Sequence, residues 1–201
     1  MKNRQEKITC LTVYDASFSA LIDKLGVEVM LVGDSLGMVI QGHTTTLPVT
    51  MDQMVYHTRC VCQAREQAFV IADLPFMSYS TPQIAADNAA RLLREAGAQM
   101  VKLEGARTEI VSFLVAQGVP VCGHLGLLPQ SINLIGEYKA YGKTAPEAKL
   151  IIEHAEQLEN AGASLLLLEC VPAYLAKSIT QRVKIPVIGI GAGIDCDGQI
   201  L

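Results

Sequence analysis

The sequence predicts an α/β fold built on a parallel sheet, either closed as a (β/α)8 barrel or open as a doubly wound sheet. Half of the 201 residues are hydrophobic and only 18% are charged, so the chain can bury a large core. Short runs rich in Val, Ile and Leu alternate with longer stretches of helical period, as in βα repeats. Acidic residues also follow several of these runs, at positions where parallel strands would end.

The short apolar runs predict seven strands. Their length and composition are typical of strands that are buried on both faces, as they are between the helices of an α/β fold. The predicted strands are residues 8–13, 29–32, 69–72, 100–103, 119–121, 165–168 and 187–190.

Helix signals lie between the predicted strands. Thr50 with Gln53 and Thr144 with Glu147 form capping-box patterns, which mark the first residues of two helices. Another helix begins at the Thr-Pro pair of residues 81–82. We find no linker, charge block or low-complexity tract, so residues 1–201 are predicted to form a single barrel domain.

Composition excludes several classes of partner. The formal net charge is −4 and no run of Lys and Arg occurs, which argues against nucleic acid. No apolar stretch approaches the ~18 residues of a membrane span, and the charged first residues do not resemble a signal peptide. The six Cys include no CxxC pair and are interpreted as reduced packing residues. These features predict a cytoplasmic protein with small-molecule substrates.

Four of the seven predicted strands end in a carboxylate. Asp34, Asp73, Glu104 and Glu169 occupy these positions, and His124 lies near the end of a fifth strand. Strand carboxyl ends form the catalytic face of a barrel and the ligand crevice of an open parallel sheet. In either topology, these side chains are expected to converge.

Each of these residues also has a purely structural interpretation. Asp34 and Ser35 could cap a following helix, and His124 could be a hydrogen-bonded core histidine. Lys102 and Glu104 are two residues apart on one strand, so they share a face as either a working pair or a surface ion pair. The shared position of the acids favours a functional site.

The chemistry of the acids favours Mg²⁺ over zinc. Carboxylates from different strands are hard oxygen ligands, which suit Mg²⁺, whereas no Cys and His set has the spacing of a zinc site. The glycine-rich segment 189–193 follows the last predicted strand and is interpreted as a tight barrel loop, near an anionic group of the ligand.

A series of motifs resembles the ketopantoate hydroxymethyltransferase family over nearly the whole chain. Each motif alone is a modest signal, but their shared order is specific. The motifs are VGDSLGM (32–38), TLPVT (46–50), ADLPFM (72–77), MVKLEG (100–105), VCGHLG (121–126), LECVP (168–172) and IGIGAG (188–193).

The resemblance implies a (β/α)8 barrel that transfers a hydroxymethyl group from 5,10-methylenetetrahydrofolate to 3-methyl-2-oxobutanoate, using Mg²⁺. It also implies a homo-oligomer, often a decamer in this family. Matched motif by motif, the implied roles are Mg²⁺ ligands at Asp34 and Asp73 with Glu104 close to the metal, oxo-acid binding by Asp34, Ser35, Asp73 and Lys102, and a catalytic base at Glu169.

Members of this family continue past the equivalent of residues 197–201 to an eighth strand, so the resemblance implies about seven strands here, a missing last βα unit and two unpaired sheet edges. One alternative is a Mg²⁺-dependent oxo-acid lyase or mutase of the phosphoenolpyruvate/isocitrate lyase type, enzymes that usually place a reactive Cys after a strand. In a second alternative, Lys102 forms a Schiff base with the substrate. A third is an inactive, truncated chain.

Overall fold

The computed structural model describes residues 1–4 and 6–201, in which eight parallel strands form a closed barrel. The strands are β1 (Ile8–Thr12), β2 (Val29–Val32), β3 (Phe69–Asp73), β4 (Met100–Glu104), β5 (Val121–Gly126), β6 (Leu165–Glu169), β7 (Val187–Ile190) and β8 (Gly198–Ile200). The helices are α1 (Ala16–Lys24), α2 (Leu36–Val39), α3 (Met51–Ala64), α4 (Pro82–Ala90), α5 (Thr108–Ala116), α6 (Ile132–Ile135), α7 (Ala145–Asn160) and α8 (Ala173–Arg182).

The barrel contains eight strands, so the expectation of about seven strands with open edges is wrong. Strand β8 pairs with both β7 and β1, with Gly198 beside Ile188 and Ile8. A Cβ atom at Gly198 would lie 2.3 Å from the carbonyl oxygen of Ile8, so a residue without a side chain lets the last strand approach the first. Because β8 has three residues, including a glycine and an exposed Gln199, it carries no apolar run that sequence could reveal.

Strand β5 also differs from its prediction. It extends from Val121 to Gly126, whereas the sequence predicted residues 119–121. Glycine disfavours strands on propensity grounds, but Gly123 faces α7, where an added Cβ would lie 2.8 Å from Leu158. The close approach of α7 therefore explains the glycine, and the longer strand carries His124 to its carboxyl end.

The barrel interior is apolar toward the amino ends of the strands and polar at their carboxyl ends. Side chains two residues apart on a strand face the same side, and on four strands an interior apolar residue is followed by a polar one nearer the strand's carboxyl end. These pairs are Ile71 with Asp73, Met100 with Lys102, Cys122 with His124, and Leu167 with Glu169. The barrel fold thus presents the polar residues as one layer on its carboxyl-terminal face.

The helices pack around the outside of the barrel, and α3, α4 and α7 begin where the sequence predicted. Both capping boxes are formed, because Thr50 and Thr144 accept from the backbone N–H groups of Gln53 and Glu147, whose side chains accept from the cap backbones. Thr81 caps α4 by accepting the Ile84 N–H, without the reciprocal bond of a capping box. None of the helices in the described part of the chain combines the length and apolar character needed to cross a membrane.

The carboxylate of Asp197, directly before β8, helps to hold the barrel closed, and a substitution can test this role. Asp197 Oδ2 accepts the Val187 N–H at 2.9 Å and pairs with Lys2 Nζ at 2.9 Å. Asp197→Ala leaves the Val187 donor without its partner, so we expect a loss of about 1–3 kcal/mol in the free energy of unfolding, measured in urea. Asp195→Ala removes an exposed pair with Lys177 at 3.4 Å and should cost only about 0–1 kcal/mol. Equal losses would contradict the closing role of Asp197.

Candidate active site

The structure brings all six predicted site residues to one cavity. Asp73, Glu104 and Glu169 are the last residues of β3, β4 and β6, and Asp34 lies two residues after β2. With Ser35 and Lys102, these acids line a cavity of about 140 Å³ at the carboxyl ends of the strands. The predicted convergence of the acids is therefore confirmed, while the chemical role of each residue stays a prediction.

A buried ion pair lies at the centre of the cavity. Lys102 Nζ is 2.7 Å from Asp73 Oδ1, and both side chains are at most 5% exposed. Asp73 Oδ2 accepts the backbone N–H of Asp34 at 3.1 Å, which joins the end of β3 to the loop after β2. Burial by itself would lower the pKa of Lys102, but Asp73, Glu104 and Asp34 outweigh it and raise that pKa. The side chain is therefore an ammonium, which argues against a Schiff-base nucleophile.

The remaining acids carry more negative charge than one ammonium can balance. Burial, followed by the charge of Asp73, raises the pKa of Asp34 to about 7 even though Lys102 and Gln130 act to lower it. Burial likewise raises the pKa of Glu104 to about 8, against the opposing charge of Lys102. Three buried carboxyl groups around one lysine form a site that favours a further positive charge.

The donor set fits a divalent cation held by few protein ligands. No group of three His, Cys, Asp or Glu side chains within the described residues is arranged as a ready-made metal site. Asp34 and Asp73 nevertheless face the same cavity, and Asp73 Oδ1, although in ionic contact with Lys102, accepts no aligned hydrogen bond. Mg²⁺ is commonly bound through one or two carboxylates, with waters and substrate oxygens completing its shell. The residues present therefore fit Mg²⁺ better than a cation that requires a protein cage.

His124 contacts the predicted base. Its Nε2 lies 3.2 Å from Glu169 Oε2, and its Nδ1 lies 3.5 Å from Lys102 Nζ. Burial and the charge of Lys102 lower the pKa of His124, which favours a neutral ring. Because Nδ1 faces an ammonium, we assign the ring proton to Nε2, which lies beside Glu169 without an aligned hydrogen bond to it. His124 is thus a buried histidine within the site rather than elsewhere in the core.

Ser35 is positioned by a tyrosine and not by a helix cap. Its Oγ lies 2.8 Å from the hydroxyl of Tyr14, and its side chain makes no capping hydrogen bond to α2. The carboxylate of Asp34 accepts from Gln130. The capping interpretation of Asp34 and Ser35 is therefore wrong, and both side chains remain available at the cavity.

Gln130 is a site residue that the sequence did not indicate. It lies in a short 3₁₀ turn, Pro129–Ser131, after β5 and is 5% exposed. Its side-chain nitrogen donates to Asp34 Oδ2 at 2.8 Å, and its backbone N–H donates to Glu104 Oε2 at 3.1 Å. A glutamine in a loop is ordinarily exposed, so only the folded structure reveals its place between two buried acids.

The glycine-rich segment forms the tight loop that the sequence predicted. It follows β7, and Gly191 and Gly193 have positive φ values of 58° and 83°. Gly191 packs against Cys170, the residue after Glu169, which itself has a φ of 49°. Backbone bonds from Cys170 N to Ile190 O and from Tyr141 N to Cys170 O fix this turn beside the predicted base.

A closed parallel barrel with buried acids and an ammonium around a cavity at its strand ends defines a (β/α)8-barrel enzyme. The ketopantoate hydroxymethyltransferase family model matches residues 1–201, and the chain belongs to that family. A 3-methyl-2-oxobutanoate hydroxymethyltransferase of Nitrosococcus oceani is 61% identical over all of this chain and 77% of its own length. The enzyme of the same name from Methylococcus capsulatus is 60% identical over all of this chain and 76% of its own length.

Solved structures of other enzymes share the fold. A phosphonopyruvate hydrolase in complex with oxalate and Mg²⁺ superposes with a TM-score of 0.74 at 11% identity, covering 98% of this chain and 76% of that chain. A 2,3-dimethylmalate lyase of the PEP mutase/isocitrate lyase superfamily gives a TM-score of 0.71 at 14% identity, covering 100% and 77%. At these identities the likeness shows the barrel fold alone.

Proposed function

We propose that this chain transfers a hydroxymethyl group from 5,10-methylenetetrahydrofolate to 3-methyl-2-oxobutanoate, giving 2-dehydropantoate in pantothenate biosynthesis. Membership of the ketopantoate hydroxymethyltransferase family supports the reaction. The observation that carries the mechanism is one cavity lined by Asp34, Asp73, Lys102 and Glu169. Its volume of about 140 Å³ suits a small oxo-acid and is too small for a folate, so the donor would approach from the open side.

The oxo-acid would be bound and charge-balanced by residues from three strand ends. Mg²⁺, held by Asp34 and Asp73, would act as a Lewis acid for the 2-oxo and carboxylate oxygens of the substrate. The ammonium of Lys102 lies in contact with Asp73 and would balance the negative charge that develops on the oxo-acid. The Ser35 hydroxyl, held by Tyr14, would donate a hydrogen bond to the same ligand.

Glu169 is proposed as the base that removes the C3 proton. Its carboxylate reaches the cavity, and its side chain is 21% exposed, so it is the least buried of the acids. His124 Nε2 lies 3.2 Å from Oε2 of Glu169, so it would face that oxygen and leave the other free for the proton. Leu31, Leu167 and Ile190 line the same cavity and would shield the C3 carbanion from solvent protons. The bond between C3 and the donor's methylene carbon would form as the two bonds of that carbon to folate nitrogens break. One water molecule would supply the hydroxyl group, and its remaining proton and the C3 proton would go to the two folate nitrogens.

The lyase or mutase alternative receives no specific support. Its fold is shared, but the family model and the two close relatives are hydroxymethyltransferases. Cys170 directly follows β6, yet burial and the neighbouring Glu169 raise the pKa of its thiol. A thiol with a raised pKa is a poor nucleophile, so Cys170 does not match a reactive loop cysteine.

Proton exchange at C3 of 3-methyl-2-oxobutanoate in D₂O, followed by NMR, tests the proposal without any folate. We expect exchange with Mg²⁺ and none with EDTA, because the metal and Glu169 act before the donor. Exchange that persists in EDTA would contradict the metal's role. A folded protein that gives no exchange under either condition would support the inactive-chain alternative instead.

Cation binding should depend on pH because the acids must lose their protons. The pKa values of Asp34 and Glu104 are about 7 and about 8, so these side chains are largely protonated when the pH is lower. At such a pH the cation must displace their protons in order to bind. Mg²⁺ affinity should therefore rise by up to about tenfold per pH unit for each proton displaced, most steeply between pH 6 and 7, and level off above about pH 8. Calorimetry in buffers of different ionisation enthalpy measures the released protons. A pH-independent affinity would contradict the cation's contact with these acids.

A further inference from the structure

All polar groups of the Gln130 side chain are used within the site. The amide nitrogen donates to Asp34 Oδ2 at 2.8 Å and to the backbone carbonyl of Leu74 at 3.0 Å. The amide oxygen accepts from the hydroxyl of Tyr79, which is 8% exposed. An amide has two N–H donors, and both are taken here, so the residue is fully satisfied despite its burial.

These contacts leave one orientation for the amide. In the opposite orientation, the amide oxygen would face the Asp34 carboxylate and the Leu74 carbonyl, and the nitrogen would face Tyr79. That arrangement places oxygen against oxygen twice. The Asp34 carboxylate and the Leu74 carbonyl therefore determine which end of Gln130 meets Asp34, and the Tyr79 hydroxyl holds the amide oxygen in that orientation without a hydrogen bond to Asp34 itself.

Gln130 also connects the two acids whose pKa values are raised. Its backbone N–H donates to Glu104 Oε2 at 3.1 Å, and its side chain donates to Asp34 Oδ2 at 2.8 Å. The preceding Pro129 and the bond from Ser131 N to Leu128 O fix the turn that carries it. One loop residue thus spans the acids supplied by β4 and by the loop after β2.

We propose that Gln130 is a positioning residue that acts through Asp34, with Tyr79 fixing its amide. The hydrogen bond from Gln130 to Asp34 Oδ2 fixes the rotation of the carboxylate. The other oxygen, Oδ1, takes no part in this bond and is available to a cation. This inference rests on the proposed role of Asp34 as a Mg²⁺ ligand. It assigns a function to two residues outside the predicted acid and lysine set.

The test measures Mn²⁺ binding to the full chain by electron paramagnetic resonance, for Gln130→Leu, Tyr79→Phe and the double variant. Gln130→Leu should weaken Mn²⁺ binding about 10- to 100-fold, which is the usual effect of removing an outer-shell hydrogen bond to a metal ligand. Tyr79→Phe should weaken it by a smaller factor. The double variant should match Gln130→Leu alone, because Tyr79 acts only through Gln130.

Gln99→Leu is the matched control. Its side-chain oxygen accepts the Val70 N–H at 3.1 Å at the amino end of the barrel, so this substitution removes a glutamine hydrogen bond far from the cavity. Mn²⁺ affinity should be unchanged, even if thermal stability falls. Thermal melts of each variant separate loss of folding from loss of binding, and Tyr79→Phe retains the glutamine if Gln130→Leu does not fold.

The possible failures are distinguishable. If the wild-type chain binds Mn²⁺ and Gln130→Leu binds it within about twofold, the positioning role is overturned while the metal site stands. If the two single variants weaken binding additively, Tyr79 does not act through Gln130, which overturns its part of the proposal. If the folded wild-type chain binds no Mn²⁺, the metal role of Asp34 fails, and the positioning role fails with it.

Discussion

Glu169→Gln should abolish C3 proton exchange of 3-methyl-2-oxobutanoate, with an expected loss of about 10²- to 10⁴-fold in rate. An amide has nearly the same shape as a carboxylate but cannot accept the proton. Its oxygen can take the place of Glu169 Oε2, which lies 3.2 Å from His124 Nε2, so the site geometry should persist. NMR in D₂O with Mg²⁺ measures the exchange rate directly.

Two controls define what this loss means. Mn²⁺ affinity of Glu169→Gln should stay near that of the wild type, because Glu169 is not a proposed ligand. Glu28→Gln makes the same chemical change at the amino end of β2, where Glu28 accepts the Thr9 N–H at 2.8 Å, and should leave exchange intact. If Glu169→Gln exchanges at the wild-type rate, another group in the cavity is the base.

The acid positions could be predicted because they depend on two simple regularities. Parallel strands end at the same edge, and side chains two residues apart share a face, so Asp73, Glu104 and Glu169 had to converge once their strands were correct. The capping boxes at Thr50 and Thr144 were equally local, because the partners lie three residues apart. Local patterns therefore carried most of the fold and the predicted site.

The features that sequence missed depend on contacts between distant residues. Strand β8 has no apolar run, and its stability comes from pairing with β7 and β1 on its two sides. Gln130 is buried only because Asp34, Leu74 and Tyr79, which are all more than 50 residues away in sequence, supply its partners. A polar residue's burial is determined by such partners and not by its own type.

Lys102→Met is expected to destabilise the metal-free chain strongly. Lys102 Nζ lies 2.7 Å from Asp73 Oδ1 in a pair that is at most 5% exposed, so its removal leaves a buried carboxylate without its counterion. Breaking such a pair from one side costs roughly 3–5 kcal/mol. Urea unfolding at pH 8.5, in EDTA, measures this loss.

The loss should be smaller at low pH. Asp34 and Glu104 have pKa values of about 7 and about 8, above the values near 4 of unfolded chains, so folding takes up protons between these limits. Stability from these groups therefore falls as pH rises through that range. Lys102 lowers both pKa values, so replacing it with Met should raise the pKa values of Asp34 and Glu104 further. The free energy of unfolding of the variant should then continue to fall up to a higher pH. Lys102→Met should consequently lose less stability at pH 6 than at pH 8.5.

Mg²⁺ distinguishes the proposed role of Lys102 from that of a Schiff-base nucleophile. If Lys102 supplies charge, a bound cation should restore part of the stability lost in Lys102→Met at pH 8.5, because it returns positive charge to the same acids. Lys149→Met removes an exposed pair with Glu153 at 3.7 Å and should cost less than about 1 kcal/mol at either pH. Borohydride trapping of the oxo-acid on the wild-type chain, undiminished by EDTA, would favour the nucleophile. A loss of stability that is equal at pH 6 and pH 8.5 would show that the surrounding carboxyl groups are not the partners of this lysine.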